Sequence, residues 1–399
     1  MVDTDLAARL DRPTDLRSTL LTAAGLSLGP AVAIGFARFA YALLLPGMRA
    51  DLAWTFAQAG AMNTANALGY LFGALVATAT AQRFGARPAF AYGIAVTAAA
   101  LLLSAVTTSF PALLLLRVVA GVAGAITFIA GGALAAHLGE RVAKRSSLLL
   151  ALYVAGGGGL GILISALAVN PLLVVAPHAW RLGWAILGGL SILTLLATRP
   201  ALGRVDEIVA AAPTAARAAT VKPLRFTFAA YTLFGAGYIA YMTFIVALLR
   251  AEGTGAGGVS VFWALLGLAA IGSPAFWGPV LERLPGGRGL ALTMLVVAIG
   301  AALPVASPST GAALLSALVF GGSFLNVVTA VTTVARRILL PHGWTSGIAA
   351  LTVVFAIGQC VGPLLSGVLA DRSGGVRLGL ALSAGLLVTG SFVALGQRA

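Results

Sequence analysis

Two arginines stand where the sequence gives them no acidic neighbour. Arg38 lies in GFARFAY, residues 35–41, inside the apolar run LLTAAGLSLGPAVAIGFARFAYALLLP; Arg117 lies seven residues past Phe110 in a second apolar run. A planar guanidinium holds a carboxylate through two parallel hydrogen bonds. Two of them without carboxylates of their own therefore have the chemistry of an anion site. Polar residues recur around them at helical spacing. Tyr41 follows Arg38 by three positions, on one helix face. Asn63, Asn66 and Tyr70 fall at i, i+3 and i+7, and Tyr238, Tyr241, Asn326 and Gln359 stand in later apolar segments. The candidate substrate contacts are Arg38, Tyr41, Asn63, Asn66, Arg117, Tyr238, Tyr241, Asn326 and Gln359. Each has a plainer use: Arg117 in bonding backbone carbonyls of a neighbouring helix, Arg38 in snorkelling to headgroups, and the amides in hydrogen bonds between helices.

Other chemistries are poorly served. None of the 11 acidic residues falls in the core of an apolar segment, and the histidines, His137, His178 and His342, sit at segment ends or in loops. No catalytic constellation is present, which argues against an enzyme, and a proton antiport relayed by an intramembrane carboxylate is disfavoured. The one cysteine, Cys360, allows neither an intrachain disulfide nor a thiolate metal cluster. No metal or cofactor is expected. Met242 has no histidine beside it, against a copper path. GGGGLG (156–161) satisfies a dinucleotide fingerprint but follows no strand, so close helix packing or a gating bend is the better account. There is no phosphate loop, hence no ATP drive.

The elements that must position these residues are membrane helices. The chain has 399 residues, 60% hydrophobic and 9% charged, where a soluble domain carries about 25% charged residues. A bilayer core needs roughly 20 apolar residues per helix. Spans are expected near 20–46, 57–81, 88–107, 110–136, 147–169, 178–198, 225–250, 259–281, 289–306, 309–335, 346–370 and 377–397. Residues 199–224, rich in alanine, proline and basic residues, read as a linker between an N-terminal half (1–198) and a C-terminal half (225–399). The polar N-terminus and the long first run do not resemble a cleaved signal peptide.

The net charge of +14 reflects topology rather than nucleic-acid binding. Of the 25 lysines and arginines, 18 lie at the N-terminus, in the loops after even-numbered spans, or at the C-terminus, 5 lie in the opposite loops, and 2 are Arg38 and Arg117. By the positive-inside rule both termini are cytoplasmic. On that orientation Arg38 and Arg117 reach similar depths, ~12 Å and ~10 Å from the outer ends of their helices. Each costs about 2.5–3.5 kcal/mol mid-helix, and at ~8 Å their repulsion is about 2 kcal/mol at an effective dielectric of 20. A bound anion relieves it.

An offset of 200 residues superposes the halves: Gly35 on Gly235, Tyr41 on Tyr241, Arg83 on Arg283, Gly121 on Gly321 and Gly158 on Gly358. Tyr238 takes the position of Arg38. Two parallel six-helix repeats place substrate between the halves near the midplane.

Over its whole length the sequence resembles the major facilitator superfamily. The family's loop pattern between helices 2 and 3, G-x-x-x-D-R-x-G-R-R, has Thr78, Gln82, Arg83, Gly85 and Arg87 at its positions, without the glycine and the acid. The second copy is closer, with Gly278, Glu282, Arg283, Gly286 and Arg288. Arg117 and Gly121 match the helix 4 pattern R-x-x-x-G. GFARFAYALLLPGMR, GYIAYMTF and GPLLSGVLADRSG are similar to the YbfB/YjiJ-type bacterial branch. The resemblance implies an all-α membrane protein of twelve helices in two pseudo-symmetric halves, with helices 1, 4, 7 and 10 lining the cavity. It makes Arg83, Arg87, Glu282, Arg283 and Arg288 gating residues, and it implies a monomer in the bacterial inner membrane. The expected function is transport of a small organic anion, a carboxylate first, by facilitated diffusion, exchange or symport. Efflux of neutral or amphipathic drugs is the alternative, since two arginines have the wrong sign for a cation.

Overall fold

The computed structural model describes residues 16–140, 146–207, 222–340 and 344–398. Arg9, Arg12, Arg141, Lys144, Arg145, Arg217, His342 and most of the expected linker (208–221) lie outside the described residues. Twelve long helices run through the rest. The helices are α1 (Leu16–Asp51, in three segments), α2 (Phe56–Phe84), α3 (Ala86–Val106), α4 (Phe110–Glu140), α5 (Ser146–Val175, in three segments) and α6 (Trp180–Arg204). A turn at Lys222–Leu224 leads into the second half, α7 (Arg225–Ala251), α8 (Ala256–Arg283), α9 (Arg288–Ala306), α10 (Thr310–Gly321 and Asn326–Ile338), α11 (Trp344–Ala370) and α12 (Gly375–Leu395). Eleven are long and apolar enough to cross a membrane. The twelfth, α2, has 29 residues but falls short in hydropathy, because Gln58, Asn63, Asn66, Gln82 and Arg83 lie along it.

We call the end of the bundle where α1 begins and α12 finishes the terminal end, and the opposite one the far end. The two halves meet along α2 with α11 and α5 with α8. Small residues set these seams, as close backbone approach in membranes requires. A Cβ on Gly60 would stand 2.3 Å from the Pro363 carbonyl oxygen, and one on Gly159 would stand 2.7 Å from that of Gly267. GGGGLG is thus a packing surface inside α5. The repeat holds at residue level: Gly121 packs on the Asn66 carbonyl and Gly321 on that of Leu266, two pairs 200 apart.

Three helices depart from the uninterrupted spans expected of them. Residues Ala31–Phe39 of α1 are π-helical, and Ala40 N–H donates five residues back to Gly35 O at 2.8 Å. Pro30 has no N–H for the α ladder and Gly35 tolerates the wider turn. A shorter π turn, Leu152–Gly156, interrupts α5. α10 breaks at 322–325, after the Gly321–Gly322 pair, and Trp277 Nε1 donates to the Gly322 carbonyl at 2.8 Å. α6 also runs to Arg204, into the expected linker.

Candidate functional site

The polarity of α2 has a place to go, because α2 runs between α4 of its own half and α11 of the other. Asn66, 1% exposed, accepts from Arg38 Nε at 3.0 Å and donates to the Arg117 carbonyl at 3.2 Å. Asn63, one turn earlier, accepts from Arg117 Nη2 at 3.3 Å and donates to Thr243 Oγ1 of α7 at 2.6 Å. One face of one helix therefore holds both guanidiniums and reaches the second half. The face follows from the i, i+3 spacing alone.

The two arginines sit differently. Arg117 is enclosed, with its guanidinium 5.4 Å from the ring centroids of both Tyr41 and Trp184, two rings that are fully buried. It bonds the Asn63 side chain rather than a neighbouring helix's backbone carbonyls. Arg38 lies 4.6 Å from the Tyr70 ring centroid and close enough to Tyr238 and Cys360 of the second half to interact electrostatically. The two cations also feel each other. Among the described residues neither bonds an aspartate or a glutamate. Arg38 Nη2, Arg117 Nε and Arg117 Nη1 are buried without a hydrogen-bond partner, which buried donors rarely are.

Arg38 and Tyr41 do not share partners, although α-helical counting puts them on one face. Arg38 lies in the last turn of the π segment and Tyr41 opens the α segment after it, so α-helical counting does not fix their relative direction. The Tyr41 hydroxyl donates to Ala59 O at 2.9 Å and its ring stacks on Trp184. In the second half Tyr238 accepts a hydrogen bond from Gln359 Nε2. Tyr241 instead pairs with Ser316 at 2.5 Å, and Asn326 donates to Ser273 Oγ at 2.6 Å. The structure brings Arg38, Asn63, Asn66, Arg117, Tyr238 and Gln359 together. Tyr41, Tyr241 and Asn326 have hydroxyl or amide partners within their own halves.

Of the aromatic wall that includes Tyr238, beside Arg38, the sequence pointed only to Tyr238 itself. Tyr231, Phe234, Tyr238 and Phe355 stack with neighbouring centroids 4.5–6.0 Å apart, and Phe324, brought in by the break in α10, touches Tyr238 and, across the halves, Phe39. Tyr231, Phe234 and Tyr238 fall at i, i+3 and i+7 on α7, a pattern present in the sequence. Thr243 and Trp184 gave no such signal.

At the terminal end the expected gating side chains Arg83, Arg87, Glu282, Arg283 and Arg288 make no bond across the halves among the described residues. The Arg87 N–H donates to Glu207 Oε1 at 3.0 Å, so Glu207 caps α3, and Arg337 donates to the carbonyls of Leu281, Glu282 and Leu284. The contacts between halves gather instead from the middle to the far end: Asn63 with Thr243, Thr64 with the Cys360 carbonyl at 2.7 Å, and Phe56 with Phe244.

A paired, two-half bundle with a buried polar centre is the architecture of membrane transporters, and the comparisons agree. Residues 30–395 match the family described as "Uncharacterised MFS-type transporter YbfB". The chain belongs to this transporter family. Among curated proteins, Monocarboxylate transporter 13 of Bos taurus is 30% identical over 344 residues, 81% of this chain and 76% of that one. The Chloramphenicol resistance protein of Streptomyces lividans is 29% identical over 380 residues, 89% and 91% of the two chains. Among solved structures, a D-xylose-proton symporter superposes with a TM-score of 0.76 at 12% identity, covering 96% of this chain and 98% of that one. Such a likeness concerns the fold. The transporter family accounts for α2, a membrane helix whose polar face is needed inside the bundle.

Proposed function

We propose that this transporter carries small organic anions, carboxylates in the first instance, with Arg38 as the group that binds them. The observation that carries this reading is the set of three buried guanidinium nitrogens without a partner, on Arg38 and Arg117. Of the two arginines, Arg38 is the one that lies beside Tyr238 of the second half, so a ligand bound there touches both halves. That is what a substrate must do to draw them together. Arg117, fixed between Tyr41, Trp184 and Asn63, supplies charge and holds α2 and α4 in register. The similarity to a protein named as a monocarboxylate transporter supports the same sign of substrate. In this reading the protein is a monomer in the inner membrane, with its terminal end cytoplasmic.

The aromatic wall and the similarity to a chloramphenicol resistance protein favour a second reading, export of neutral planar compounds. Thermal unfolding of the purified protein with acetate, benzoate, malate, tetraphenylphosphonium or chloramphenicol added separates the two. A ligand at a hundred times its Kd adds about 2.7 kcal/mol. The anion reading expects stabilisation by at least one of the carboxylates and none by tetraphenylphosphonium. Stabilisation by chloramphenicol alone would replace it with the second reading.

A further inference from the structure

The residues of the family's gating pattern lie at the terminal end, but a charged contact between the halves lies at the opposite one. Asp371 follows the last turn of α11. Its Oδ1 accepts the N–H of Phe56 at 2.7 Å and its Oδ2 that of Ala57 at 2.9 Å. These are the first two N–H groups of α2, and α2 belongs to the other half. The helix already has an N-cap, since Thr55 and Gln58 form a capping box, so Asp371 is not needed to start it. A carboxylate on free N–H groups at a helix N-terminus is a charge-assisted contact with the positive end of the helix dipole. Beside it, a Cβ on Gly367 would stand 2.4 Å from the Phe56 carbonyl oxygen, so glycine there lets the carboxylate reach.

The repeat supplies a comparison within the molecule. Shifted by 200 residues, the α2/α11 seam becomes the α8/α5 seam, Phe56 becomes Ala256 and Asp371 becomes Pro171. Where the first seam is latched, the second holds a cavity of about 140 Å³ lined by Leu43, Asn170, Val246, Arg250, Ala256 and Val259 among others. One of two equivalent seams is thus tied by charge at the far end itself, whereas the other has a cavity there and its bond between the halves, Trp263 Nε1 to Ser165 Oγ at 3.1 Å, lies seven residues into α8. We infer that Asp371 is the far-end gate residue of the transport cycle, a positioning residue whose carboxylate holds α2 to α11 while that end is closed and releases the α2 N-terminus when it opens.

The test uses Val246→Cys in a Cys360→Ser background, in nanodiscs, with a membrane-impermeant maleimide. Val246 is buried in the far-end cavity, 2% exposed, and opening that end uncovers it. Asp371→Asn is expected to raise the labelling rate about threefold to tenfold, whereas Asp371→Glu stays close to the parent. Gly367→Ala, which pushes the seam apart and leaves the carboxylate in place, is expected to match Asp371→Asn and carries the test if that variant does not fold. Ala298→Cys on α9, fully buried away from both seams, is expected to remain unlabelled throughout. Unchanged labelling at 246 in folded Asp371→Asn, or in Gly367→Ala where Asp371→Asn does not fold, overturns the assignment. So does labelling that rises equally at 246 and 298, because that is general loosening.

Discussion

Arg38 and Arg117 are the same side chain in two settings, and the difference decides what each substitution does. Arg117 is 1% exposed and held between two aromatic rings and Asn63. Arg117→Gln leaves the Asn63 carbonyl oxygen and the stacked rings without their partner, so it is expected to destabilise the fold by about 1–3 kcal/mol, read by denaturation, and to lower folded yield along with activity. Asn66→Asp tests the other setting. Asn66 Oδ1 is 3.0 Å from Arg38 Nε, and a carboxylate there gives Arg38 a permanent internal anion. The half-saturation of a transported carboxylate should rise about ten- to a hundredfold, at the 1.5–3 kcal/mol of a charged hydrogen bond, with the melting temperature unchanged or higher. A fall in stability without a change in half-saturation would remove Arg38 from the substrate path. The grouping of Arg38, Asn63, Asn66 and Arg117 is legible in the sequence, because it needs only helical spacing and the cost of a buried charge. The fates of Tyr41, Tyr241 and Asn326 are not, since each is fixed by how the helices pack, which brings Ala59, Ser316 and Ser273 to them.

Helices at this scale are read from apolar length, and that reading fails where the backbone itself changes. The π segment Ala31–Phe39 and the break at 322–325 lie in runs as apolar as any other. Pro30 and the Gly321–Gly322 pair permit these departures without requiring them. What selects them is packing. A Cβ on Gly35 would lie 2.4 Å from Gly161 Cα, so α1 and α5 touch backbone to backbone where α1 widens. Gly35→Ala is therefore expected to cost about 1–3 kcal/mol as an overpacked contact. Gly385→Ala on α12, where an added Cβ meets nothing within 4 Å, is expected to be neutral or to stabilise by up to about 1 kcal/mol through helix propensity. Equal effects of the two in thermal unfolding would show that the α1/α5 contact does not shape the segment that carries Arg38.

For the whole molecule, the 200-residue repeat points to two halves and the arginine bias to an orientation that labelling tests. The closed end is different: it depends on Asp371 meeting α2 from more than 300 positions away, a contact no local pattern announces. In a Cys360→Ser background, Arg204→Cys at the terminal end is expected to label only from the cytoplasm and Ala251→Cys at the far end only from outside; the reverse pattern inverts the topology. The central claim is that an anion crosses this bundle on Arg38, and uptake of radiolabelled carboxylate into proteoliposomes by Arg38→Gln tests it most directly. The account predicts that uptake is lost while the variant remains folded and monodisperse, and that Arg38→Lys, which keeps the charge without the planar fork, transports with a raised half-saturation. Parental uptake by well-folded Arg38→Gln would contradict it.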